Sequence, residues 1–156
     1  MAKAKKVTAS LIREVREESG APMMRAKKVL EENGGDKSKA VEILKKEGFA
    51  KMEKRTDRAT SQGVLAVYKH HNGKVAAMIE LLCETDFVAK NELFIDLADE
   101  LAMQVASMDP KDAKELESMD FIKDPKKKIS DLVKEVKTKT GENIKIGKIF
   151  RIELGK

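Results

Sequence analysis

Helical spacing of apolar residues dominates the first fifty positions, and alternation takes over in the middle and at the end of the chain. Residues 8–48 read as three short helices. The first carries Leu11, Ile12 and Val15 on one face. Thr8 precedes it, where a hydroxyl can accept a free first-turn N–H. Gly20 ends it, because glycine takes the left-handed conformation after a helix without strain. The second starts at Pro22, which suits a first turn that needs no N–H. Its stripe is Met23, Ala26, Val29 and Leu30, with Met24 about 100° away. Asn33-Gly34-Gly35 closes it. The third is capped by Asp36, turns Ala40, Val41, Ile43 and Leu44 inward, and stops at Gly48. About forty residues is near the lower limit for an independent core, so this bundle is expected to be marginal alone. Residues 50–62 carry mixed charge and little apolar pattern, as a linker or an exposed helical extension would.

Two β-compatible runs, GVLAVYKHH and KVAAMIELLCE, flank Asn72-Gly73. Asn-Gly accepts positive φ at both central positions of a type I′ hairpin turn. That register sets His71 opposite Lys74 and Cys83 near Gln62. Residues 91–107 then predict a helix capped by Asn91, with Phe94, Leu97, Ala98, Leu101 and Val105 inward and Asp109-Pro110 as its end. A further helix is predicted at about 126–139, with Ile129, Leu132, Val133 and Val136 inward and Gly141 as its stop. The last segment, NIKIGKIFRIELG, alternates as a third strand. Gly147 marks a bulge that shifts the alternation. The pattern defines an α+β chain: residues 1–50 a three-helix unit, 51–62 a linker, and 63–156 a core of a three-stranded antiparallel sheet with helices.

Composition narrows the classes of function. The chain is 38% charged, with mean hydropathy −0.46. No run approaches the roughly eighteen apolar residues of a membrane span. The basic start MAKAKKVTAS lacks the apolar stretch of a secretory signal. One cysteine excludes an internal disulfide and fits a reducing compartment, so a cytoplasmic protein is expected. The net charge of +5 is uneven: +6 over residues 1–60, −7 over 61–122 and +6 over 123–156. A basic protein invites a nucleic-acid reading. Twenty-six lysines against six arginines, 4% aromatics and no tryptophan leave little material for stacking or bidentate base reading. No direct nucleic-acid partner is expected.

The candidate chemistry is sparse. His70, His71 and Cys83 are the soft ligands, and the hairpin register separates the cysteine from the histidines by tens of ångströms. A zinc site needs at least three close ligands, so none is expected. The chain has neither a phosphate-binding P-loop nor a dinucleotide fingerprint, and no nucleophile constellation. The expectation is a non-enzyme without a cofactor. Two stretches stand out. Met23-Met24 reads either as a core methionine beside an incidental exposed one or as an adaptable apolar patch for a partner helix. Thr85-Asp86-Phe87-Val88 is sharper. Extrapolating the 91–107 helix backward places Phe87 in its apolar stripe, which favours a buried helix-start residue. The other reading is an exposed aromatic that buries most of its ~150–250 Å² in a partner.

Three segments, VTASLIREVREESGAPMMRAKKVLEENGGDKSKAVEILKKEG, CETDFVAKN and TGENIKIGKIFRIELG, closely resemble translation elongation factor Ts, in order and over almost the whole chain. The resemblance implies a ubiquitin-associated-like three-helix N-terminal domain followed by an α+β core. It implies a nucleotide exchange factor for elongation factor Tu. Asp86 and Phe87 would enter the G domain of Tu near its Mg²⁺ and phosphate site, with Thr85 and Val88 holding the turn. Met23 and Met24, with Arg16 nearby, would contact a helix of the same domain. The family commonly has an acidic residue after Met-Met where this chain has Arg25, which leaves Arg25 outside the implied contact. Ending at Lys156 after one core, the chain resembles the short bacterial form, which implies a homodimer through the core sheets. The runner-up is a ubiquitin-associated-type binding module with an α+β interaction domain for another protein. A third reading is a basic RNA-associated protein.

Overall fold

The computed structural model describes residues 7–156. The basic start read as lacking a secretory signal lies, through residue 6, outside the described residues. Two apolar clusters form. The smaller gathers Val15, Ala26, Val29, Leu30, Ala40, Val41 and Leu44 from the first three helices. These are α1 (Ala9–Ser19), α2 (Met23–Glu32) and α3 (Lys37–Glu53). The predicted caps are in place. Thr8 accepts from the N–H of Leu11 at 3.3 Å and Asp36 from that of Lys39 at 3.1 Å. Gly20 takes φ 70° after α1.

Two details depart from the pattern. Gly48 does not stop α3, which continues to Glu53, so the start of the segment read as a linker or an exposed helical extension is helical. A Cβ at Gly48 would overlap the methyl of Thr138, so the glycine permits a close helix crossing instead of a turn. Met23, placed in the inward stripe, is 48% exposed. It is the first residue of α2, whose buried residues begin at Ala26.

The larger cluster lies between a sheet and the helix across it. β1 (Gln62–Lys69), β2 (Val75–Cys83) and β5 (Lys145–Glu153) form an antiparallel sheet in the order β1-β2-β5. Gln62 pairs with Cys83 in the predicted register, but the turn is not type I′: of Asn72 and Gly73 only the glycine takes positive φ (70°), and its N–H donates to the carbonyl of His70 at 2.9 Å. The alternation of β2 turns Ala77, Ile79, Leu81 and Cys83 inward against α5 (Glu92–Met108). Helix α5 is capped by Asn91, buries Phe94, Leu97, Ala98, Leu101 and Val105, and ends at Asp109 with φ 52°. Each large apolar side chain fully buried there contributes roughly 1.5–3 kcal/mol. The register of β5 on β2 slips by one residue between Ile79 and Leu81. Gly147 lies in this bulge, where a Cβ would collide with the Glu80 carboxylate, and that carboxylate accepts from the N–H of Lys148 at 3.1 Å.

The region between α5 and β5 holds more structure than its pattern suggested. A short helix, α6 (Ala113–Ser118), precedes a two-stranded hairpin of β3 (Asp120–Phe121) and β4 (Asp124–Lys128). Buried Gln104 pins this hairpin to α5, donating to the carbonyl of Asp120 and accepting from the N–H of Ile122, each at 3.0 Å. The lysines at 126–128, read as the start of a helix, are therefore strand. Asp131 accepts from the N–H of Lys128 and fixes the start of α7 (Ile129–Thr140). Gly141 ends α7 at φ 72°.

Candidate functional site

Strand β2 runs out at Cys83, and the chain turns at Glu84 into a single short helix, α4 (Asp86–Ala89). Thr85 caps it, accepting from the N–H of Val88 at 3.4 Å. Val88 and Ala89 are buried against the core and Asp86 is exposed. Phe87 is 82% exposed, more than any other large hydrophobic residue described. The reading of Phe87 as a buried helix-start residue is thus overturned. Extrapolation from α5 fails because α4 ends at Lys90 and Asn91 begins a new helix with its own cap, so the phase is not carried back. Asp86 accepts from Lys90 at 3.1 Å one turn on, an exposed pair worth a few tenths of a kcal/mol.

The turn is gripped from below. The Glu142 carboxylate accepts from the N–H groups of Glu84 and Thr85, both at 3.1 Å, and from the Thr85 hydroxyl at 2.6 Å. Glu84 in turn accepts from the N–H of Asn143 at 2.7 Å. Buried Asn143 donates to the carbonyls of Thr56 and Arg58, both at 3.0 Å, and Arg55 donates to the carbonyl of Gly141 at 3.0 Å. Sequence reasoning assigned Glu142 and Asn143 no role. Their partners lie more than fifty residues away in the chain, and no local periodicity reports that. Burial pushes the Cys83 thiol up from its ordinary value, and the carboxylates of Glu142, Asp86 and Glu84 act the same way. The thiol donates to the carbonyl of Thr85 at 3.1 Å, a position for a packed structural cysteine.

The second stretch stands on the small bundle. Met24 is 77% exposed at the start of α2, Met23 is half-exposed beside it, and the Arg16 side chain is exposed on α1. Arg25 is engaged within the bundle, its guanidinium paired with Glu47 of α3. Met23 and Met24 therefore sit on one cluster, and Thr85 to Val88 on the other. His70 lies beside Tyr68, with its Nδ1 3.1 Å from the Tyr68 hydroxyl, at the hairpin end remote from Cys83.

Each of the two clusters presents exposed apolar side chains at a helix start, Met23 and Met24 on the smaller and Phe87 on the larger. A family model, that of elongation factor Ts, matches residues 84–156. The chain is 38% identical to elongation factor Ts of Oleidesulfovibrio alaskensis over an alignment that covers 96% of this chain and 98% of the relative. It is 37% identical to that of Thermotoga neapolitana, with 96% and 98% covered. It is 39% identical to that of Clostridium kluyveri, covering 96% of this chain but 49% of that longer protein. The chain belongs to the elongation factor Ts family, and so to the translation elongation factors.

Proposed function

We propose that this chain binds elongation factor Tu carrying GDP and accelerates GDP release, acting through the Asp86-Phe87 tip. The observation that carries the reading is the exposure of Phe87 on a short helix held by the Glu142 contacts. A nonpolar ring kept in water at a chain reversal gains most by entering a partner pocket. Phe87 wedges between packed elements of Tu beside its metal site, and Asp86 perturbs the Mg²⁺-linked contacts there. Losing Mg²⁺ leaves phosphate charge uncompensated, which weakens GDP. Thr85 and Val88 hold the turn. Met23 and Met24, with Arg16, supply a second contact that adds affinity. No covalent step is involved. Differential affinity for nucleotide-free Tu drives exchange, and by linkage the factor weakens GDP by the same ratio that GDP weakens the factor. Stopped-flow release of a fluorescent GDP analogue from Tu tests this. Acceleration that saturates with the concentration of this protein is expected, and unchanged release overturns it.

The working unit under this reading is a cytoplasmic homodimer joined through the core sheet. The sheet face away from α5 exposes Leu65, Val67, Phe150 and Ile152 on its two outer strands, with Met78 between Val67 and Phe150 in register. This apolar patch, bordered by Glu80 opposite Leu65 and by Lys69 and Lys148, is stabilised by covering, and a twin offers the same patch. Sedimentation at micromolar concentration is expected to show a dimer, and Val67→Lys a monomer. A wild-type monomer with full exchange activity overturns the dimer reading.

A further inference from the structure

Phe87 touches little of its own protein, so its direction is set by the backbone of α4. A four-residue helix cannot hold itself, because the nucleation cost of one turn exceeds what one or two hydrogen bonds return. What fixes it must come from outside. Val88 and Ala89 anchor one side in the core. On the other side, the N–H groups of Glu84 and Thr85 emerge beyond the last paired residue of β2 and would lack partners in a half-buried place. Glu142 takes both. It also takes the Thr85 hydroxyl proton, which turns the oxygen's free lone pairs toward the N–H of Val88. The reciprocal bond from Asn143 to Glu84 closes a clasp between the segment after β2 and the segment before β5, in which each segment's glutamate receives the other's backbone.

We propose that Glu142 is a positioning residue for exchange, acting through Thr85 to aim Phe87, a role that rests on the exchange-factor reading above. Its carboxylate has no need to touch the partner. It keeps the ring in the docking-ready arrangement, so the ordering cost is met before Tu arrives. Gln at this position retains an oxygen that accepts from the two N–H groups, and its NH2 donates to the Thr85 oxygen, which keeps a second lone pair for the N–H of Val88. Ala leaves both N–H groups unpaired, and Asp is too short to reach all three donors.

The test is a double-mutant cycle on GDP release, with amide hydrogen exchange of the free proteins beside it. Glu142→Ala is expected to slow maximal release by roughly tenfold or more, the loss typical of charged hydrogen bonds. Glu142→Gln is expected to retain most of the rate. In a Phe87→Ala background, Glu142→Ala is expected to add almost nothing, because both act through one ring. Faster amide exchange confined to residues 84–88, with an unchanged melting curve, supports the role. Equal losses in both backgrounds, or amide exchange at 84–88 no different from wild type, overturn it. The amide measurement needs no Tu. If wild-type protein fails to accelerate GDP release, the exchange reading falls, while amide exchange still reports whether Glu142 holds the tip.

Discussion

Phe87 and Met24 are similarly exposed, at 82% and 77%, yet they stand on different foundations. The phenylalanine rises from the larger cluster, on a turn tied by Glu142 to the connection between α7 and β5. The methionine rises from seven buried residues in three helices, docked on α7. One side chain is stiff and held by a clasp. The other is unbranched and adaptable, on a bundle near the lower size limit for folding alone. The difference suits a division of labour in which the clamped ring forces a change in the partner and the pliable methionine adds grip.

The largest expected effect follows from truncating the clamped ring. Phe87→Ala should lower exchange about thirtyfold, the cost of a central aromatic anchor of about 2 kcal/mol. Because the ring is exposed, thermal unfolding should stay within about 0.5 kcal/mol of wild type. Loss of the fold with normal exchange by the remaining folded fraction would erase the distinction between the two patches. A middling effect is expected at the bundle's footing. Gly48→Ala adds a methyl against Thr138, and overpacking of this kind costs about 1–3 kcal/mol, offset by up to about 1 kcal/mol of helix propensity. Calorimetry should show the N-terminal helices melting earlier, and the added change Thr138→Ser should restore them. An unaltered melt would mean that the crossing tolerates more room than its geometry implies. The smallest effect belongs to Met24→Ala. The concentration for half-maximal exchange should rise by about fivefold, near 1 kcal/mol, with the maximal rate almost kept. An equal fall in maximal rate would place both patches in the same step.

Much of this architecture was legible wherever a local rule decides it. The hairpin register followed from Asn72-Gly73, and the helix starts from Thr8, Asp36 and Asn91. Most of the failures share one cause, contact made at long range, while Phe87 and Met23 were misplaced by local breaks in helix phase and position. Gly48 looks like a terminator until Thr138 is placed against it. Lys126 to Lys128 look helical until Gln104 holds β3 and β4 in place. Phe87 looks buried while α4 and α5 are read as one helix. Glu142 and Asn143 fall inside the resembling segment TGENIKIG but follow no periodicity that gives them a role, since a carboxylate that receives three donors resembles any surface glutamate in a linear reading.

The bulge at Gly147 acts as a parity switch for the end of the chain. Up to that point Ile146 faces the core, and strict alternation would next send residue 148 inward and Ile149 out. The extra residue resets the count. Ile149 and Arg151 fall on the inner side, where the Arg151 guanidinium reaches the carbonyl of Ala106 at 2.9 Å, and Phe150 and Ile152 fall on the open face. Pairing this strand straight through, with every residue kept and no bulge, would therefore exchange two whole rows of side chains. A cation would emerge where the sheet now offers phenylalanine, and the apolar face would be lost without any apolar residue being replaced.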